Sequence, residues 1–125
     1  MQPPVETVRI SQRGRDLLIK LKRNTGIDNW NILCRLGFFE SIGLETEPPQ
    51  MLKSEESNIE MTWKTFSGNY QNEILAILYL KSHNKGIRDR GQIAEYFKQH
   101  LERGLFLLDK KKDLLSIFQA LQTKI

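Results

Sequence analysis

Residues 7–23 read TVRISQRGRDLLIKLKR, and this stretch decides the fold reading. Val8 and Ile10 alternate with Thr7 and Arg9, which is the period-two pattern of a short strand with one apolar face. The pattern then changes. From 12 to 24, Gly14, Leu17, Leu18 and Leu21 recur at i, i+3, i+4 and i+7, a helical stripe. Ser11 stands where an N-cap hydroxyl is wanted, and Gly26 stands where a helix stops in a left-handed residue. Six of the seventeen residues are Arg or Lys, against the single acid Asp16. On a wheel of about 100° per residue the cations fall outside the apolar stripe, with Asp16 spaced to pair with Lys20 and Ile19 alone among the charges.

Outward from this stretch the helical pattern dominates. A second helix is expected from Asp28 or Asn29 to about Ser41. Its two stripes, Trp30/Leu33/Cys34/Gly37 and Ile32/Leu36/Phe39 with Phe38 beside them, leave little polar surface, so burial on several sides is expected. Gly43 ends it, with Leu44 folding back onto it. Residues 44–60 carry five acids against one lysine and contain Pro48-Pro49, the marks of an acidic loop. Alternation over 59–64 predicts a strand with Ile59, Met61 and Trp63 inward, followed by a turn at Ser67-Gly68-Asn69. Helices are expected over 70–83, 90–105 and 114–121. The expected fold class is mainly α: one compact helical domain, 1–125, of about five helices with one or two short strands. Residues 6–43 form its basic strand-helix-helix part, 44–60 its acidic loop, and 61–125 a short strand plus helices.

Composition sets further bounds. The 125 residues carry a net charge of +4, a mild lean towards polyanions. One cysteine, Cys34, excludes an intrachain disulfide and suits a reducing compartment. No apolar run approaches the roughly 20 residues of a membrane span, and the first residues lack the pattern of a signal peptide. A cytoplasmic protein without membrane contact is expected.

The order strand, capped helix, Gly-containing turn and apolar helix resembles a ribbon-helix-helix DNA-binding module over residues 6–43. There two chains pair their N-terminal strands, and Thr7, Arg9 and Ser11 would face the major groove. An unpaired strand leaves backbone groups open, so pairing between subunits, and hence an oligomer, is expected. Arg9, Arg13, Arg15, Lys20, Lys22 and Arg23 are the candidate DNA-binding residues, through phosphate neutralisation and counterion release. Lys110-Lys111-Lys112 and the Lys85/Arg88/Arg90 loop are lesser basic clusters, read first as solvated.

The chain as a whole resembles the DndE family, the small E component of the bacterial DNA phosphorothioation (DNA sulfur modification) system. The resemblance rests on LKRNTGIDNWNILCRLGFFESI at 21–42, WKTFSG at 63–68 and EYFKQHLERGLFLL at 95–108. It implies a small helical homotetramer that binds duplex DNA, with nicked duplex preferred. It also implies partner C and D subunits that supply the iron–sulfur and ATPase chemistry by which sulfur replaces a non-bridging phosphate oxygen. On this view the chain is a non-catalytic accessory subunit needing no cofactor. Two alternatives stay open: an autonomous ribbon-helix-helix repressor or antitoxin, and a protein-interaction module that does not bind DNA.

The residues independently disfavour catalysis. His83 and His100 lie on different expected helices, with no second ligand at metal-binding spacing. Cys34 falls on an apolar stripe, where a free thiol is inert. No phosphate-binding glycine loop is present.

Overall fold

The computed structural model describes residues 1–50, 55–111 and 113. In chain order it contains β1 (Thr7–Ser11), α1 (Gln12–Thr25), α2 (Trp30–Ile42) and β2 (Glu56–Thr62). These are followed by α3 (Trp63–Ser67), a single 3₁₀ turn (Gly68–Tyr70), α4 (Gln71–Asn84) and α5 (Arg90–Lys110). The fold is mainly α, with one two-stranded sheet. The expected helix at 114–121 and Lys112 of the lysine run lie outside the described residues.

Local chemistry places the boundaries. Ser11 Oγ accepts from Gly14 N at 3.0 Å and starts α1, while Gly26, at φ 76°, closes it with its N–H on Lys22 O. Asn29 precedes α2 without making a side-chain cap. Thr62 caps α3 by accepting from Thr65 N at 3.1 Å. That cap explains one departure from expectation. The strand expected over 59–64 begins earlier, at Glu56 inside the acidic segment, and yields to a helix at Trp63. Trp63 is buried as expected, but from a helix. Gly43 is not left-handed (φ −75°), and Leu44 stays 38 % exposed instead of folding back.

β1 finds its partner within the chain. It runs antiparallel to β2, with Thr7 opposite Thr62, Val8 opposite Met61 and Arg9 opposite Glu60; an irregularity follows before Ser11. The expectation that β1 needs another subunit to pair with is corrected here, because the polar stretch ESNIEMT supplies the missing strand. Ser11 is also corrected. It is buried and occupied in capping α1, and cannot face a DNA groove. Val8 and Ile10 turn into the core, as their alternation predicts.

α5 is the element around which the rest is built, and α2 packs on it most extensively. Where they cross, Gly37 and Gly104 bring backbone against backbone: a Cβ at 104 would lie 1.8 Å from Gly37 O. Beside this crossing Phe38, Trp63, Phe66 and Phe97 pack with ring centroids 5.2–6.1 Å apart, mostly edge to face. The apolar circumference of α2 is only partly covered. Ile32 and Phe39 are half-buried and Leu36 is exposed, with Tyr70 against the Phe39 ring. Leu80 of α4 is likewise exposed.

Candidate nucleic-acid interface

α1 turns Leu18, Leu21 and Thr25 inward and leaves its charged arc in solvent. Arg13, Lys20 and Arg23 are exposed and share an arc of about 80° on a wheel of 100° per residue. None of the three has a carboxylate within 4 Å among the described residues. Arg15 and Lys22 lie on the other flank of Ile19. Asp16 does not pair with Lys20. It accepts from Gln12 Nε2 at 3.2 Å and stands 4.0 Å from Arg15. Lys22 Nζ sits 5.1 Å above the half-buried Trp30 ring, tying the end of α1 to the start of α2. Arg9 is set apart from this group: Glu60 neutralises it across the sheet at 2.7 Å.

Most other cations are committed to the scaffold. Arg35 donates Nε to Phe66 O at 2.9 Å and lies over the Tyr70 ring at 5.4 Å. It thereby fastens α2 to the carbonyl end of α3, where four orphan acceptors need donors. Gly68 is required at this joint. Its φ is +55°, and a Cβ there would meet Arg35 Nη2 at 2.5 Å. Arg103 of α5 spreads its fork over Ser41 Oγ and O and over Thr46 Oγ1 and O. Lys81 donates to Leu44 O, Arg90 to Pro3 O, Lys85 to Glu47, and Lys111 to Glu40. Lys110 stands over Phe106. Of the loop cluster Lys85/Arg88/Arg90, only Arg88 lacks such a partner among the described residues. Sequence reading missed the joint made by Arg35 and the clamp made by Arg103, because each reaches about thirty or sixty positions along the chain, beyond any local period.

Of the side chains weighed as possible catalysts, Cys34 and His100 are buried. Cys34 is wholly enclosed, and burial, then the nearby charge of Glu102, pushes its thiol up to about 12. His100 Nδ1 and Ser41 Oγ lie 2.8 Å apart, a spacing seen between a nucleophile and its base, yet both residues are 0 % exposed. Burial, then the charge of Arg103, holds His100 down at about 4. Alongside, Glu47 accepts from Tyr96 at 2.9 Å and from Lys85 at 3.1 Å. Burial raises its carboxyl, but these bonds outweigh that and hold it below the usual range. His83 is exposed on α4, away from this cluster. Among the described residues no three His, Cys, Asp or Glu side chains gather where they could hold a metal ion. No helix among them is long and apolar enough to cross a membrane.

The family described as DNA sulphur modification protein DndE matches residues 7–116. The chain belongs to the DndE family. The crystal structure of DndE from Escherichia coli B7A, involved in DNA phosphorothioation modification, is similar at a TM-score of 0.70 and 24% identity. That similarity covers 86% of this chain and 98% of the other. A glycine-to-lysine mutant of DndE involved in DNA phosphorothioation is similar at a TM-score of 0.62 and 22% identity, over 83% and 96% of the two chains. No curated protein matches this chain. The segments at 21–42 and 63–68 meet at the Arg35–Gly68 joint, and those at 21–42 and 95–108 meet at the Gly37–Gly104 crossing. The segments that carry the resemblance thus meet at helix joints, while the candidate DNA residues sit mostly on the open arc of α1.

Proposed function

We propose that this chain is the non-catalytic, DNA-engaging subunit of a cytoplasmic DNA phosphorothioation complex, gripping the duplex phosphate backbone through α1. One observation carries the reading: Arg13, Lys20 and Arg23 share an exposed arc with no carboxylate within 4 Å among the described residues. The first turn of α1 adds weight. It has no acid and carries Arg13 and Arg15 at the positive end of the helix dipole. That arrangement costs an isolated helix roughly 0.3–1 kcal/mol per charge, and a bound phosphate relieves it. Arg15 and Lys22 extend the surface on its far side, and Arg9 is a reserve contact that must first leave Glu60. Preference for nicked duplex, action beside C and D subunits and assembly as a homotetramer belong to the same reading. For assembly, the uncovered row Ile32, Leu36 and Phe39 on α2, bordered by Tyr70, is the surface a second copy would cover.

Fluorescence anisotropy on intact and nicked duplexes of random sequence, across a salt series, tests the proposal. Each phosphate neutralised contributes about 0.9 to the slope of log K against log salt. Replacing Arg13, Lys20 and Arg23 together by Glu is expected to cut affinity at least about a hundredfold and lower the slope by about 3, with the helical circular dichroism unchanged. Unchanged affinity and slope would remove α1 from the interface. Leu36→Glu, followed by light scattering, tests assembly in the same way: an unchanged mass would clear the α2 row.

A further inference from the structure

Among the described residues β1 has one paired edge and one open edge. Trp63 N donates to Glu6 O at 2.9 Å, which sets the alternation: Glu6 and Val8 turn their backbone groups towards β2. Thr7 and Arg9 therefore turn their N–H and C=O groups the other way. Ser11 fixes that direction independently. With Gln12 N bonded to Glu55 O, the Ser11 N–H leaves by the open edge and reaches Glu102 Oε1 of α5 at 3.3 Å. So the open edge faces α5. Two residues earlier Glu102 is out of reach, and the four outward groups of Thr7 and Arg9 have no protein partner among the described residues.

A groove of about 260 Å³ runs there between strand and helix, with Thr7 and Arg9 on one side, Gly91, Ala94 and Lys98 on the other, and Phe97 in its apolar lining. Added strands lie about 4.8 Å from their neighbours, and Gly91 and Ala94 keep the helix wall free of bulk where one would pass. The electrostatics select the occupant. Arg9 is neutralised by Glu60, Lys98 stands 4.0 Å from Glu56, and Glu95 adds a further carboxylate to the lining. On an otherwise basic chain this groove has no surplus of positive charge, which makes it unsuited to a phosphate backbone and suited to an uncharged one.

We propose that the groove takes an extended segment of a partner protein, which adds to β1 as a third strand and bonds to Thr7 and Arg9. Only an extended polypeptide offers acceptors and donors alternating at the two-residue spacing these groups present. Small apolar side chains at alternate positions would meet the Ala94 and Phe97 wall. The proposal stands apart from DNA binding: a chain that ignored DNA would still add the strand.

The probe is the soluble peptide Ac-KTVTVTK-NH2 at millimolar concentration, with amide exchange followed residue by residue on the full-length labelled protein. Exchange at Thr7 and Arg9 is expected to slow at least about tenfold while Val8 is unchanged. The effect should vanish with a peptide N-methylated at alternate residues, and with Ala94→Trp, whose α5 amides should keep their native exchange. Absence of slowing, or slowing centred elsewhere, overturns the proposal. Slowing at Thr7 and Arg9 that grows with protein concentration in the absence of peptide also overturns it, because the occupant would then be β1 of a second copy.

Discussion

Replacing Gly104 by alanine probes the joint on which the fold depends. A Cβ built there falls 1.8 Å from Gly37 O and 2.2 Å from Gly37 C, where ordinary contact begins at 3.4 Å. Both obstacles are backbone, so no side chain can swing aside; α2 and α5 must separate by about 1.5 Å at their crossing. A gap of even 0.5–1 Å forfeits roughly a quarter to a half of the dispersion attraction between the surfaces it parts. Leu33, Cys34, Leu101 and Leu105, all fully buried, are among the side chains that would feel it. Overpacking costs about 1–3 kcal/mol in general, and a clash of backbone with backbone belongs at or beyond the top of that range. Helix propensity acts in the opposite direction, since Gly→Ala in a helix gains up to about 1 kcal/mol. The expected net loss is about 2–3 kcal/mol, or a fall in Tm of roughly 8–15 °C for a chain of this size. Gly37→Ala is the internal control. Its Cβ meets Gly104 C and Leu105 N at 3.1 Å, a misfit of a few tenths of an ångström, and about 1 kcal/mol is expected. Urea titration and calorimetry of both variants measure the difference. A Gly104→Ala protein as stable as wild type, or more stable than Gly37→Ala, would refute this account of the helix crossing.

Three further outcomes follow from the buried polar groups. In the unfolded chain His100 takes up its proton near 6.5, but in the fold not until about 4. Stability is therefore full above about pH 6.5 and falls as pH drops towards 4, by up to about 3 kcal/mol; urea midpoints should fall less steeply in His100→Gln across that window, and equal falls would count against a neutral buried ring. Arg35→Lys keeps the charge but not the reach to Phe66 O, so a loss of about 1–3 kcal/mol is expected, with DNA affinity unaltered; a neutral result in urea titration would mean the α2–α3 joint is held otherwise. Cys34 should resist iodoacetamide in the native protein and label only as urea unfolds it, read by intact mass; fast native labelling would contradict its burial.

How much of this was legible beforehand depends on the range of the interaction. Ser11, the 14/17/18/21 stripe and Gly26 lie within a few positions of one another, and they delimit α1 correctly as far as Gly26. The strand expected over 59–64 found the second half of β2, but its start was hidden by composition, because ESN reads as a polar loop until β1 offers it a ladder to complete. The switch from strand to helix at Trp63 did have a local signal, the Thr62 cap; alternation through Ile59 and Met61 masked it. Asp16 had the right spacing for Lys20 but took nearer partners, Gln12 and Arg15. Arg35 and Arg103 could be located only once the fold brought distant carbonyls to them. The exposed cations of α1 follow directly from its periodicity, and so the candidate site was more readable than the joints that hold it.

On the proposed reading, the cations already spent on the scaffold narrow where a duplex could sit. A net charge of +4 says nothing about where a polyanion binds, because a cation already donating to a carbonyl or carboxylate must give up that bond to meet a phosphate. Arg35, Lys81, Arg90 and Arg103 hold backbone carbonyls, and Arg9, Lys85 and Lys111 hold carboxylates. Breaking a charged hydrogen bond costs roughly 1.5–3 kcal/mol, comparable with what a single phosphate contact returns. Among the described residues the cations spared that exchange are chiefly Arg13, Lys20 and Arg23 on α1, with Lys64 and Arg88 elsewhere. Should affinity for duplex survive reversal of the α1 charges, Lys64→Glu with Arg88→Glu becomes the deciding variant. If that too left the salt slope intact, binding by the described residues would have to draw on cations now holding the scaffold, each of which must first give up its carbonyl or carboxylate.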